Sequence, residues 1–153
     1  MNSKREKAMA LFQEGYNCAQ SVFAAYAEDY GIPTQQALRL ASSFGGGIGR
    51  MRDTCGAFSG AIMVIGLETG AIDGADTAGK QQNYKAVQQL AERFRAQNGS
   101  LLCRDLLGLS ADGDYSDPKP ERRTADYYAN RPCLELVGNT CDLLDSFLNM
   151  LHQ

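Results

Sequence analysis

The sequence has little of what the common catalytic and metal sites require. Its single histidine, His152, lies one residue from the end of the chain, so it is a poor candidate for a catalytic base or a metal ligand. No two of the five cysteines form a Cys-x-x-Cys pair, which argues against a zinc ribbon, a zinc finger and a disulfide scaffold. The acidic residues Asp112, Asp114 and Asp117 lack the spacing and the terminal glutamate of a calcium loop. What remains for the cysteines is a site assembled by folding, or a set of separate buried thiols.

The chain also lacks an excess of positive charge and a long apolar run. Its 153 residues carry a formal net charge of −3. Phosphate binding requires a concentrated basic face, so we expect no nucleic-acid partner. The longest apolar stretch, 61–67, is far shorter than the ~20 residues of a membrane span. The apolar run 8–12 is too short for a signal peptide, and we therefore expect a cytoplasmic protein whose thiols stay reduced.

Strand-like alternation does not persist anywhere in the sequence, whereas helical spacing of apolar residues recurs along it. Capping residues and glycines indicate where the helices begin and end. The predicted helices are 4–14, 18 to about 31, 34–44, 55 to about 67, about 80–97, 100–107, 121–129 and 133 to about 151. The segments 45–49 and 110–123 are predicted to be loops. The sequence therefore predicts an all-α fold, a compact bundle of about six to eight helices in one domain, residues 1–153.

Two of these helices carry patterns that predict how they pack. In the helix beginning at residue 55, Gly56 and Gly60 are four residues apart. They remove side chains from one face and allow another backbone to approach closely, either within the chain or from a second copy. A homodimer, the commonest oligomer, is our expectation for the second case. In the helix 80–97, the predicted inward stripe is Tyr84, Val87, Ala91 and Phe94.

Four of the five cysteines lie at predicted helix beginnings. Cys18, Cys55, Cys103 and Cys133 each follow a capping residue or a proline by at most three residues. The first turn of a helix has unpaired N–H groups and the positive end of the helix dipole, both of which favour a thiolate over a thiol. Cys141 falls inside the last predicted helix and is expected to be a small buried apolar residue.

The segment before Cys55 is rich in glycine. Glycines allow positive φ and expose backbone N–H groups, as in anion-binding nests, and Arg50 and Arg52 add positive charge. We therefore predict a cofactor-binding loop that consists of Gly45, Gly46, Gly47, Gly49, Arg50 and Gly56. The helical pattern before the loop argues against a dinucleotide fingerprint, and a Gly-Lys-Ser/Thr sequence is lacking for a P-loop. The alternative is that the glycines only permit a tight crossing between helices.

The motifs around the cysteines together carry a family resemblance. They are Gly15-Tyr16-Asn17-Cys18-Ala19-Gln20, the glycine segment 45–50, Cys55-Gly56-Ala57-Phe58-Ser59-Gly60, Cys103-Arg104-Asp105-Leu106-Leu107-Gly108, and Cys133 followed by Leu136-Val137. With these motifs most of the chain resembles the redox-active protein family C_GCAxxG_C_C. The family pattern implies four cysteines, which match Cys18, Cys55, Cys103 and Cys133. It implies a redox or cofactor-binding role with an iron–sulfur centre and an unidentified redox partner, but no particular substrate.

Three functions remain open at this point. The first is an electron-transfer centre in which the four cysteines ligate an iron–sulfur cluster or, alternatively, zinc. The second is a metal-free thiol–disulfide oxidoreductase, with Cys55 as the low-pKa nucleophile and one of the other three as the resolving thiol. The third is a helical oligomerisation or binding module whose cysteines are only buried. The sequence does not decide whether the protein is an enzyme.

Overall fold

The computed structural model describes residues 3–153. This part of the chain contains eight α-helices, two 3-10 turns (Glu28–Tyr30 and Ser42–Phe44) and no β-strand. The helices are α1 (Lys4–Gln13), α2 (Cys18–Ala27), α3 (Thr34–Ala41), α4 (Gly56–Thr69), α5 (Thr77–Asn98), α6 (Cys103–Leu106), α7 (Ala125–Asn130) and α8 (Cys133–Leu151). The prediction of an all-α fold is therefore confirmed.

Helices α2 and α4 form the centre of the bundle. Every residue of α2 from Ala19 to Ala27 is buried except Gln20, and α4 is buried throughout its first six residues. Helices that are apolar on all sides are typical of a protein interior. Helix α2 packs against α1, α3, α4 and α8, while α4 also contacts α5 and α8. Within residues 3–153, no helix has both the length and the apolarity needed to cross a membrane.

A capping box fixes the beginning of α2. The Asn17 side chain accepts a hydrogen bond from the N–H of Gln20, and the Gln20 side chain accepts one from the N–H of Asn17. Two N–H groups that the helix itself cannot pair are thereby satisfied. Because Cys18 is the first residue of α2, the capping box also fixes the backbone at this cysteine.

Helices α2 and α4 approach each other closely at the two glycines of α4. A Cβ at Gly60 would lie 2.7 Å from the carbonyl oxygen of Ala19, and a Cβ at Gly56 would lie 3.1 Å from the Cβ of Cys18. The predicted close approach is therefore confirmed, and the second backbone belongs to the same chain. This glycine face is occupied by α2, so it is not available to a second copy. The homodimer stays a prediction.

The Gly60 contact gives a stability prediction. We expect Gly60→Ala to lower the free energy of unfolding by about 1–3 kcal/mol, because the new methyl group would press against the Ala19 carbonyl in a filled interior. Gly66 is the matched control, since it lies in the same helix with nothing within 4 Å of its Cβ position. Gly66→Ala should leave stability unchanged or raise it by up to ~1 kcal/mol through helix propensity. Urea denaturation measures both, and equal stabilities of the two variants would contradict the close packing.

Several details of the predicted helices are wrong. Tyr84 is 60% exposed, because the buried stripe of α5 begins only at Ala86 and continues through Leu90, Ala91 and Phe94. The third helix stops at Ala41, where a 3-10 turn follows. The Ser100 hydroxyl does not cap a helix, since it accepts the N–H of Leu102 in a turn before α6.

Candidate redox centre

The four cysteines lie at the beginnings of four different helices, as predicted. Cys18, Cys103 and Cys133 are the first residues of α2, α6 and α8, and Cys55 is the residue directly before α4. All four residues line one space of about 50 Å³, which we call the thiol cavity. Cys55 and Cys133 are 3% and 7% exposed and therefore buried, whereas Cys18 and Cys103 are half-buried. Helix packing thus brings together residues that are far apart in the sequence. Cys18 and Cys133 are 115 positions apart.

Cys141 does not line the thiol cavity. It is fully buried in the middle of α8, where its backbone carbonyl accepts a hydrogen bond from the Tyr26 hydroxyl at 3.0 Å. Burial raises the pKa of Cys141 to about 12, so the side chain stays a neutral thiol. His152 is exposed, and its Nε2 lies 3.0 Å from Oε2 of Glu68, away from the cavity. Both residues are thus separate from the four cavity cysteines.

A short backbone ladder positions Cys55 and Cys103 beside each other. The N–H of Cys55 donates to the carbonyl of Leu101 at 2.7 Å, and the N–H of Cys103 donates to the carbonyl of Asp53 at 2.6 Å. These bonds flank an isolated antiparallel bridge between Thr54 and Leu102. The residues before α4 and before α6 are therefore held as one unit, although no strand exists in the described residues.

The glycine loop has the predicted backbone conformation, and about half of its N–H groups are paired within the loop. Gly46, Gly47 and Gly49 have positive φ, and Ile48, Arg50 and Arg52 do as well. Each N–H from residue 48 to residue 53 donates to a carbonyl of residues 43–48. These six N–H groups are paired inside the loop, whereas those of Gly45, Gly46 and Gly47 have no backbone acceptor within residues 3–153. The loop forms a compact wall of the site, and its role in cofactor binding stays a prediction.

The six residues predicted for the cofactor loop divide into two groups. Gly46, Gly47 and Gly56 line the thiol cavity. Gly45, Gly49 and Arg50 line a neighbouring, larger space instead, together with Gly46. At Gly47 the fit is tight, because a Cβ there would lie 2.6 Å from the Cβ of Cys103. Gly47 therefore serves close packing beside Cys103, as the alternative interpretation predicts, and the cofactor-binding role of the loop stays a prediction.

The thiol that ionises most readily is Cys133 and not Cys55. A hydrogen bond from Cys18 and the guanidinium groups of Arg131 and Arg123 lower the pKa of Cys133 to about 7, against the effect of burial. The same hydrogen bond and burial raise the pKa of Cys18 well above its ordinary value. Burial raises the pKa of Cys55 to about 12, even though two N–H groups of α4 act in the opposite direction.

These pKa values correct the expectation that helix beginnings favour a thiolate at all four cysteines. The pKa of Cys103 is also raised by burial, and the Arg52 guanidinium, whose Nη1 lies 3.6 Å from Sγ, offsets only part of that shift. Burial raises the free energy of a thiolate by more than the first-turn N–H groups lower it. Among the four cysteines only Cys133 has a lowered pKa, because the Cys18 thiol and the guanidinium groups of Arg131 and Arg123 outweigh the effect of burial.

Two arginines of the site, Arg123 and Arg131, were not predicted from the sequence. They line the thiol cavity together with Arg52, which the sequence had indicated as a source of positive charge beside the glycine loop. Arg123 stacks on the rings of Phe12 and Tyr127, with its Cζ 4.4 and 4.8 Å from the two ring centroids. Residue 123 lies at the end of a segment that was predicted to be a solvated loop. The available signal was Arg131-Pro132-Cys133, in which an arginine directly precedes the proline of a helix beginning.

The backbone of the site is strained at Arg52. It is 7% exposed, and its φ of 62° lies in the left-handed region that residues with a Cβ seldom adopt. Such a conformation costs of the order of 1 kcal/mol and persists where the surrounding structure fixes it. Here it directs the guanidinium toward the sulfur of Cys103.

The four cysteines supply the donor atoms of a metal site, but their side chains are not grouped as metal ligands. Four thiolates are the donor set of iron–sulfur clusters and of structural zinc. Among residues 3–153, however, no three His, Cys, Asp or Glu side chains are grouped so that they could hold a metal ion. A metal centre at this position would therefore require the cysteine side chains to move together.

Comparison with known proteins supports a redox role for the chain. A family model described as "Putative redox-active protein (C_GCAxxG_C_C)" matches residues 16–147. The chain belongs to this family. The part of the chain that the family model matches contains all four cavity cysteines and the glycine loop. An "Uncharacterized protein" of Archaeoglobus fulgidus is 25% identical over 147 residues, which cover 94% of this chain and 92% of the relative. No solved structure matches the chain.

Proposed function

We propose that this member of the C_GCAxxG_C_C family is a dithiol–disulfide redox protein in which Cys133 and Cys18 are the reacting pair. The observation that carries the proposal is that Cys18 and Cys133 line the same thiol cavity, close enough for each thiol to shift the pKa of the other. A thiolate beside a second thiol is the arrangement that thiol–disulfide exchange requires. Arg131 and Arg123 support it, because they stabilise the negative charge on Cys133.

The exchange proceeds in two steps. The Cys133 thiolate attacks one sulfur of a substrate disulfide; the substrate S–S bond breaks, a mixed disulfide forms, and the first half of the substrate leaves as a thiolate. Cys18 then attacks the Cys133 sulfur, the mixed disulfide breaks, and the second half leaves with the proton that Cys18 gives up. The substrate disulfide is reduced by two electrons, and the Cys18–Cys133 pair is oxidised by two electrons to a disulfide. The reverse sequence oxidises a substrate dithiol.

Cys55 and Cys103 have a supporting role in this proposal. Both line the thiol cavity, and both have raised pKa values. They therefore remain neutral thiols near pH 7 and add no negative charge beside the Cys133 thiolate. The earlier assignment of Cys55 as the nucleophile stays a prediction, but its raised pKa favours Cys133 for that role.

A four-thiolate centre is the second candidate. It is favoured by the convergence of four cysteines on one cavity and by the three arginines, whose positive charge would balance an anionic cluster. Cys18, Cys55, Cys103 and Cys133 would be its ligands, and an iron–sulfur cluster would supply one-electron transfer. The dithiol interpretation is favoured because, in the described residues, no three His, Cys, Asp or Glu side chains are placed so that they could share a metal ion.

One experiment separates the two candidates. Reduced protein, purified without oxygen, is analysed for iron, zinc and labile sulfide and is then treated with the neutral 2-hydroxyethyl disulfide. The dithiol proposal predicts that the count of free thiols falls from five to three, with the new disulfide between Cys18 and Cys133 in peptide mass spectra. Cys141→Ser, the matched control, should form the same disulfide, and Cys18→Ser should stop at a mixed disulfide on Cys133. One iron–sulfur cluster per chain, held by the four cysteines, would overturn the proposal in favour of the second candidate.

A further inference from the structure

A second, wider space adjoins the thiol cavity and opens it to solvent. It has a volume of about 410 Å³, and we call it the vestibule. Six residues line both the vestibule and the thiol cavity: Asn17, Gly46, Arg52, Arg123, Tyr127 and Arg131. The other walls of the vestibule come from the glycine loop and from the segment 118–121. A molecule that approaches Cys133 from this side therefore passes through the vestibule.

The vestibule has a strongly positive lining in a protein of net negative charge. Arg50, Arg52, Arg123 and Arg131 contribute four guanidinium groups, and Glu121 contributes the one carboxylate. Three positive charges are thus left unbalanced at the entrance to the cavity, although the whole chain has a net charge of −3. A concave surface with one sign of charge attracts ligands of the opposite sign.

Glu121 already occupies part of this charge site. Its Oε1 forms an ion pair with Arg131 and lies 3.8 Å from Nη2 of Arg50 and 3.9 Å from Nη2 of Arg52. A carboxylate of the protein itself is therefore held among three arginines. The Glu121 side chain is 47% exposed, so it can swing out and be replaced by a carboxylate of a ligand. Arg50 is fixed from the other side, because it donates to the backbone carbonyls of Asp117 and Lys119.

We infer that the vestibule binds the acidic groups of the substrate, and that the preferred substrates are small disulfides bearing carboxylates. The inference rests on the proposed dithiol function and specifies its substrate class. The arginines bind a substrate carboxylate in the vestibule, which holds the substrate S–S bond at the entrance to the thiol cavity. Glu121 competes with that carboxylate for the same guanidinium groups.

Binding is tested apart from thiol chemistry. Suberate has two carboxylates and the length of 3,3′-dithiodipropionate but no sulfur, so calorimetry with suberate measures the vestibule alone. We expect Arg50→Gln to weaken suberate binding by about tenfold, as for the loss of one charge-assisted contact. Arg50→Lys should retain most of the affinity, and Glu121→Gln should increase it. Arg39→Gln, an exposed arginine on α3, is the control and should bind suberate as the unaltered protein does. Suberate affinity that is undetectable, or equal in Arg50→Gln and Arg39→Gln, overturns the inference.

Reactivity is then compared between two disulfides of similar leaving groups. The rate with dianionic 3,3′-dithiodipropionate should exceed the rate with neutral 2-hydroxyethyl disulfide by about tenfold at low salt, and the ratio should approach one in 1 M salt. A ratio of one at low salt, with both disulfides reacting, overturns the substrate class but leaves the dithiol function intact. If neither disulfide reacts while suberate binds as expected, the proposed function fails and the anion site stands without the disulfide substrate.

Discussion

Replacing Cys133 with serine is expected to lower the rate at which the reduced protein reacts with iodoacetamide at pH 7 by at least about tenfold. The lowered pKa of Cys133 lets it form a thiolate near pH 7, because the Cys18 thiol and nearby guanidinium groups outweigh burial. Burial raises the pKa of Cys55, so it stays a thiol at this pH.

The pH profile separates Cys133 from the other thiols. A lowered pKa keeps the thiolate present down to lower pH, so the rate of the unaltered protein should be level above about pH 8 and fall about tenfold per pH unit below pH 6. In Cys133→Ser the rate should still be rising at pH 9. The rate and profile of Cys141→Ser should match those of the unaltered protein, because Cys141 is buried away from the cavity. Mass spectra that show Cys55 carrying the first label at pH 7 would contradict the assignment.

Replacing Gly47 with alanine is expected to lower the free energy of unfolding by about 2–4 kcal/mol. Two effects add at this position. The φ of 71° is unfavourable for a residue with a Cβ, which costs about 1–2 kcal/mol. The Cβ would also lie 2.7 Å from the nitrogen of Asp53 and 2.6 Å from the Cβ of Cys103. Neither contact is with the flexible end of a side chain, so the ladder between Asp53 and Cys103 would have to shift.

Gly49 provides the matched control for Gly47. It lies in the same loop with a φ of 54°, but nothing lies within 4 Å of its Cβ position. Gly49→Ala should therefore show only the backbone effect, a loss of about 1 kcal/mol. Denaturant unfolding of both variants isolates the clash, and labelling of Cys103 reports whether the cavity is displaced. Equal losses at the two glycines would mean that Gly47 is not packed against Cys103.

Local sequence signals were sufficient for most helix beginnings. The Asn17–Gln20 capping box and the Pro132-Cys133 start of α8 depend on neighbours within four residues. Such signals act in the first turn, so they can be identified without tertiary contacts. The Tyr84 error has the opposite origin. Its position in the apolar stripe was reasonable, but whether a helical face is buried depends on where the neighbouring helices end.

The sequence also separated the four cavity cysteines from Cys141, because position in a helix is a local property. It did not determine which of the four ionises. That outcome depends on the balance between burial and charge, and the decisive groups, Arg123, Arg131 and Cys18, reach Cys133 only through folding. Helix N-termini alone predicted a thiolate at Cys55, where burial outweighs them.

By itself, then, the sequence determined an all-α chain with four cysteines at helix beginnings and a glycine-rich connection before α4. Only the tertiary structure decided that these cysteines share one cavity, that the N–H groups of residues 48–53 are paired inside the loop, and that arginines from distant segments surround the entrance. The physical reason is the difference in the distances over which these effects act. Capping and backbone preference act over a few residues, whereas desolvation and electrostatic interaction depend on everything within about 10 Å in space.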